Sequence, residues 1–566
     1  MVSFSFVTKR FVLWSVFAVV FFAIAAEAHW LWQDRNFNPP LPPTLDGVFF
    51  ESLLPPDTRF VLNFSPTDTA ERDRFLKLWK AIFQDNSQAV VPFLLNEFFS
   101  SAAGQSVGGL GIKISPEDIV PLLNLNVRFA LAKSDRSLYI LFSLPENASA
   151  LNFLAGTSTT AGSKFQAGTL GNTGYVVLGP QEDEDALRKR YERRDWLRPM
   201  RPESFFRQKN FREAVKDFAP PMSGYFYLDV AYLPGVLAQK SPFAFAGQKF
   251  FTATAQSFHA EENGILFSKT SLGAPEKLAQ SEFRPYFAPT QIFLYQRMPS
   301  AGLLFYVEDT KLEKFFLDLS RDFYANFQTL TGLDFLADVK PLLASSYALA
   351  LHDAGSLLPA ITVLLDEKNA NDPARALFEK LDKKIDALVA LSNLSLLPQK
   401  PAGRSKAGLK TEAAKEGPVL EKQPLKSPFD GFRLTFYTQR IDKTIADIPL
   451  FQLLDKPITL TYGFTPDHVF FFSTFPDFEK AFTENSPSSL AGSPLFQQTL
   501  AVVPDPGDLL LVDGTSLGAY LQRLEKFEPS TFDLFKKYLL PIQSYVQAGQ
   551  ADGKNVHGKA FLKVKL

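Results

Sequence analysis

Histidines and acids near strand ends are the residues of this chain whose types could do chemistry. The five histidines, His29, His259, His352, His468 and His557, are scattered, and no two sit at the i, i+4 spacing with which a helix holds a metal. There is no cysteine, which removes disulfides, zinc–thiolate sites, iron–sulfur clusters and cysteine nucleophiles. His352-Asp353 puts an imidazole beside a carboxylate, as a general base would need, but a strand end with adjacent polar residues reads first as a surface turn. His259-Ala260-Glu261-Glu262 offers three possible ligands that would need distant partners to close a metal site, and its position favours a polar hairpin turn. Asp229 and Asp513 stand at corresponding strand ends, where an acid more often caps a turn or helix than moves protons.

Other motifs are weaker. Gly104–Gly111 (GQSVGGLG) is glycine-rich, yet no Gly-Lys-Ser/Thr follows to cradle a phosphate. Gly168, Gly171 and Gly174 read as turn glycines. No G-x-S-x-G or H-E-x-x-H is present. The sequence therefore assigns no catalytic, cofactor-binding or metal-ligating residue, implies no cofactor, and points to a non-enzymatic protein.

The elements that would position these residues repeat. Asp118–Ala132 reads DIVPLLNLNVRFALA and Asp338–Ala350 reads DVKPLLASSYALA. Ahead of each lies a strand and then a helix. Pro56–Phe64 precedes Asp68-Thr69-Ala70-Glu71, a helix start, and the stripe Phe75, Leu76, Leu78, Trp79, Ile82, Phe83. Pro299–Val307 precedes Asp309-Thr310 and the stripe Leu312, Phe315, Phe316, Leu319, Phe323. After each comes a further strand, Leu138–Leu144 or Ala360–Leu365, a helix from Ala148 or Pro373, and a hairpin, Thr169–Gly179 or Leu460–Ser473.

A second module follows each of these. Ser223–Leu233 matches Pro506–Leu517, and Phe251–Leu272 matches Tyr545–Leu566 without a gap, which sets His259–Glu262 against Gly553–Val556. The expected fold is α+β: a tandem duplication of a two-module unit, A–B–A–B, with mainly antiparallel sheets, packed helices and one N-terminal transmembrane or signal helix. Its boundaries are 47–203 for the first module A with a linker helix over Glu182–Arg201, and 204–285 for the first module B. Residues 286–490 form the second module A and 491–566 the second module B. Within the second A module, Pro398–Gly431 is rich in Lys, Pro and Gly and is expected to be a disordered insertion.

Address and partners follow from composition. A formal net charge of −1 and no clustered basic footprint argue against nucleic acid. Residues 1–10 should stay in the cytoplasm, since Lys9-Arg10 precede the charge-free run Phe11–Ala26. Residues 11–32 read as a signal anchor, with His29-Trp30-Leu31-Trp32 at the interface. Ala26-Glu27-Ala28 leaves cleavage as a signal peptide open. Residues 33–46 form a Pro-rich spacer. The body is then outside the cytoplasm, anchored in the cell membrane by a single pass, or periplasmic or secreted after cleavage. The 57 phenylalanines, among them Phe93, Phe98, Phe99, Phe243, Phe245, Phe250, Phe251 and Phe470–Phe472 in or beside expected sheet or helix faces, imply large cores or an apolar groove. Expected partners are the membrane, through the N-terminal helix, and an envelope protein or polymer, the alternative being a lipid-like apolar ligand. A hydrolase is the third reading.

The chain resembles a family of uncharacterised bacterial envelope proteins, domain of unknown function three-three-five-two. The resemblance rests on Leu53-Leu54-Pro55-Pro56-Asp57-Thr58, on Gly332-Leu333-Asp334 before Asp338–Ala350, on Gly174–Gly179 and on Gly224–Asp229. It implies a single N-terminal anchor and an extracytoplasmic repeat body, and supplies no activity or site residue.

Overall fold

The structure, a computed structural model, describes residues 50–83, 128–144, 165–193, 205–230, 251–280, 287–310, 332–340, 345–356, 358–366, 371–395, 418–437, 457–476, 489–497, 506–524 and 540–566, with a few single positions between. Runs of aromatic and β-branched residues form the strands. Eight come first: β1 Thr58–Phe64, β2 Phe129–Ser134, β3 Leu138–Ser143, β4 Phe165–Leu170, β5 Thr173–Leu178, β6 Gly224–Asp229, β7 Phe251–Glu261 and β8 Gly264–Gly273. Eight follow: β9 Leu303–Asp309, β10 Tyr347–His352, β11 Ala360–Asp366, β12 Leu420–Pro424, β13 Asp430–Phe436, β14 Ile458–Phe464, β15 Val469–Ser473 and β16 Asp508–Asp513. The hairpin β17 Ile542–Ala551 and β18 Asn555–Val564 ends the chain. The helices that matter are α1 Thr69–Phe83, α2 Gln181–Glu192, α3 Lys209–Ala214, α4 Asn371–Ser395 and α5 Gly514–Leu524. The fold is mostly antiparallel sheet with a few helices, as expected.

Two compact units form, one from residues 1–290 with 533–566 and one from 291–532. In the first, strands pair antiparallel in the order β4-β5-β3-β2-β1-β6-β7-β8-β18-β17. Period-two alternation sends neighbouring side chains of β3 to opposite faces. Tyr139 and Leu141 join a core with Val61, Tyr225, Tyr227, Phe205 and Phe211. Leu138, Ile140 and Phe142 join another with Phe64 and Phe129. Helix α1 covers this second face with Phe75, Leu78 and Ile82; the Phe64 and Phe75 rings lie 5.2 Å apart. Gly174 is required where β5 passes Phe142, since a Cβ there would lie 2.3 Å from that ring.

In the second unit the order is β12-β13-β14-β15-β11-β10-β9-β16, again antiparallel. Cross-strand pairing puts Val307, Leu349, Val363, Phe472, Tyr462 and Phe432 in one row on one face. Helix α4 covers the Phe432–Tyr462 end of that row through Phe378. Beyond it Phe472 is 38% exposed, and so is Ile361 in the adjacent row.

Three sequence expectations change. The insertion Pro398–Gly431 is not wholly loop: Leu420–Pro424 is strand β12, paired with β13, and Lys422 bonds Asp382 at 2.7 Å and Asp386 at 2.6 Å on α4. Leu-Glu-Lys-Gln-Pro looks like linker by composition, and the α4 acids that hold its lysine lie far back in the sequence. The helix expected over Glu182–Arg201 is α2, and it is part of the core rather than a spacer. Its Leu187 is buried, and Arg190 Nη1 donates to the Leu53 carbonyl at 3.2 Å. The gapless match of the last hairpins also fails. The first turns at Glu262–Asn263 and the second over Asp552–Lys554, so His259 is a strand residue and Gly553 a turn residue.

Candidate functional site

Glu71 is where the described residues bring acid, imidazole and hydroxyl together. The sequence around it is a helix start, and Asp68 Oδ1 does accept the Glu71 backbone N–H at 2.7 Å. In a capping box the glutamate would reach back to the N-cap. Here it turns inward and is fully buried. Its Oε1 accepts from the Ser223 hydroxyl and from the Ala260 amide at 2.7 Å; its Oε2 lies 3.0 Å from His259 Nδ1 and 3.0 Å from Arg74 Nη2. His259 Nε2 is 3.3 Å from Glu261 Oε1.

This geometry is a clamp. The Ser223 hydroxyl points to the carboxylate rather than to the imidazole, so the base that would activate it as a nucleophile is not aligned. Both nitrogens of His259 face carboxylates, so each is taken up by a partner within the fold. The arrangement ties α1, β7 and the residue before β6 together. Sequence reasoning singled out His259 and Glu261 but missed Glu71 and Ser223, whose only signal was their place at element starts.

The remaining acids are also tied to structure. Asp229 Oδ2 accepts from Arg59 Nη1 at 2.6 Å, and Arg59 Nε reaches Asp135 Oδ1 at 3.0 Å. Asp513 accepts the backbone N–H of Thr515 at 3.0 Å and of Ser516 at 3.1 Å, an N-cap for α5. Glu51, in the 3-10 turn Phe50–Ser52, is buried beneath Asn63 Nδ2 and the Tyr225 hydroxyl, and burial pushes its carboxyl above the ordinary range.

His352 and Asp353 point apart. His352 is buried, stacks on Phe475 at 4.5 Å, and its Nδ1 lies 3.1 Å from the Ala301 carbonyl. Burial lowers its imidazole to about 4. Asp353 instead pairs with Arg523 on α5. The turn reading holds for Asp353 alone.

His468 lies in the β14–β15 turn with φ of 62°, and His557 on β18 is 3.7 Å from Asp217. Gly171 supplies a φ of 59° to the β4–β5 turn, while Gly168 and Gly174 are strand residues. His29 and Gly104–Gly111 lie outside the described residues, as do residues 11–32 and Phe93, Phe98, Phe99, Phe243, Phe245 and Phe250. Phe251, Phe470 and Phe471 are core. Among the described residues no group of three His, Asp or Glu could hold a metal, and no helix is long and apolar enough to cross a membrane.

No family model matches this chain, and neither the curated proteins nor the solved structures contain a match.

Proposed function

We propose that the chain is a membrane-anchored, extracytoplasmic binding or scaffold protein of the bacterial envelope, without catalytic activity, whose body is a tandem A–B–A–B duplication. The binding reading is carried by one observation. Past the cover of α4 the row Val307–Leu349–Val363–Phe472 is half-buried, and it opens to solvent at Phe472 and the neighbouring Ile361, each 38% exposed. Adjoining exposed apolar side chains on a sheet face suit a partner's apolar segment. The engaged acids support it too, since Glu71, Asp229 and Asp513 each hold elements together.

The duplication is supported by strand order: β5-β3-β2-β1-β6 in one unit and β15-β11-β10-β9-β16 in the other follow the same sequence of modules. The anchor is supported by Lys9-Arg10 ahead of Phe11–Ala26. The short motifs that resemble those of the envelope family, Leu53–Thr58 and Gly174–Gly179 among them, are in keeping with that address.

A photo-crosslinking residue placed at Phe472 in cells tests this, with Glu262 in an exposed turn as control. A discrete protein adduct from position 472 alone, lost on adding Ile361→Asp, is the expected result. Lipid adducts at 472 would replace the reading with an apolar carrier, and no adduct at 472 would overturn it.

A further inference from the structure

Glu308 is a fully buried carboxyl on β9 that plays no part in the binding row. Its Oε1 accepts the amides of Phe293 at 2.8 Å and Leu294 at 2.6 Å. Its Oε2 accepts the amide of Tyr295 at 2.9 Å and the hydroxyl of Tyr306 at 2.5 Å. Three successive amides of the 3-10 turn Leu294–Gln296 and its N-cap thus converge on one side chain, and none of the four donors is a cation. Among the described residues its nearest neighbours are equally uncharged. On the flanking strands its paired residues are Ala348 and Leu509. The turn contributes Tyr295, whose ring packs on Phe496 at 4.3 Å. Arg297, just past the turn, bonds Asp467 at 2.5 Å.

We propose that Glu308 is a proton-operated latch that sets how firmly the 293–296 turn is held to β9. In the ionised state all four donors point at the carboxylate. When Oε2 takes a proton from water it becomes a donor. The Tyr306 hydroxyl can then rotate and accept from it, so Tyr306 serves both states without a change of backbone. Phe293 and Leu294 keep Oε1 in either state. The Tyr295 amide loses a charged acceptor and is left with a hydroxyl oxygen. A charge-assisted bond is roughly twice as strong as a neutral one, so the protection of this amide is what the proton controls. Burial, opposed by the four donors, pushes the Glu308 carboxyl up to about 7, which puts the changeover near neutrality.

Hydrogen exchange of the full-length protein from pH 5.5 to 8.5, corrected for the intrinsic pH dependence of exchange, tests the latch. Protection of the peptide carrying Tyr295 should rise by about tenfold through neutrality, the loss of roughly 1.4 kcal/mol expected when a charged acceptor is neutralised. The β7–β8 hairpin should stay level. Glu308→Gln, whose amide can donate to Tyr306 as the protonated acid does, should make the Tyr295 peptide level as well. Tyr306→Phe removes a donor to the carboxylate and should move the rise to higher pH. A wild-type peptide without a pH step, or the same step in Glu308→Gln, overturns the proposal. Should Glu308→Gln fail to fold, an unshifted midpoint in Tyr306→Phe overturns it.

Discussion

Arg59 Nη1 donates to Asp229 Oδ2 at 2.6 Å, joining strands whose residues are 170 positions apart. Asp513, the acid that ends β16 in the second unit, spends its oxygens on a helix start instead. Two acids that each close a strand therefore do different structural jobs.

Removing the cation tests the first. Arg59→Met should cost about 1–3 kcal/mol in chemical denaturation, because the buried Asp229 loses a charged donor. Asp135→Asn, at an exposed partner, should stay within about 0.5 kcal/mol.

Capping tests the second. Asp513→Ala should lower stability by about 1 kcal/mol and Asp513→Asn by much less, since an amide oxygen still accepts the Thr515 and Ser516 amides. An equal loss in both variants would show that charge, not capping, is what the site requires.

His352 gives a pH dependence of definite sign. Its imidazole stands at about 4 in the fold against 6.5 when unfolded. The unfolded chain therefore binds the proton first, and stability falls as pH drops from 6.5 towards 4, levelling below that. The full loss is about 3 kcal/mol. The difference between wild type and His352→Gln, followed by urea midpoints from pH 4 to 8, isolates this component from the carboxylates.

The Glu71 clamp should be the costliest polar site of the first unit. Glu71→Ala strands Ser223, Ala260 and His259 together, so a loss of about 3–5 kcal/mol is expected, against about 1 kcal/mol for Ser223→Ala. Thermal denaturation of both variants decides it.

Two phenylalanines separate core from surface. Phe75→Ala empties a site between Phe64 and Phe258 and should cost about 3–5 kcal/mol. Phe472→Ser should change stability by under about 1 kcal/mol while abolishing the cross-link from its neighbourhood, read with the probe at Ile361.

Much of this fold could be read from local pattern. The strands around Phe60 and Phe251 declare themselves by alternation, Leu138–Leu144 by its unbroken apolar run, and α1 and α4 by their apolar stripes. What the pattern could not reveal was anything held by remote partners. Strand β12 has Leu420 as its one buried residue and depends on β13 and on Asp382 and Asp386. Glu71 and Glu308 look like surface acids in a linear reading, because the groups that make burial tolerable come from other elements. At Glu308 those groups are backbone amides, which no residue type announces. The hairpin offset arose because length alone was matched, while turn position sets register.

The pairing of β18 with β8 has a consequence for the order in which the protein is made. Strand β8 is finished by residue 273, but its second neighbour begins at residue 555. Throughout the synthesis of the intervening chain, β8 presents an open row of amides and carbonyls to any strand nearby. Completion of the first unit waits for β18 to emerge. A nascent chain of this protein carries a sticky edge for half its length, and shielding that edge falls to whatever receives the chain.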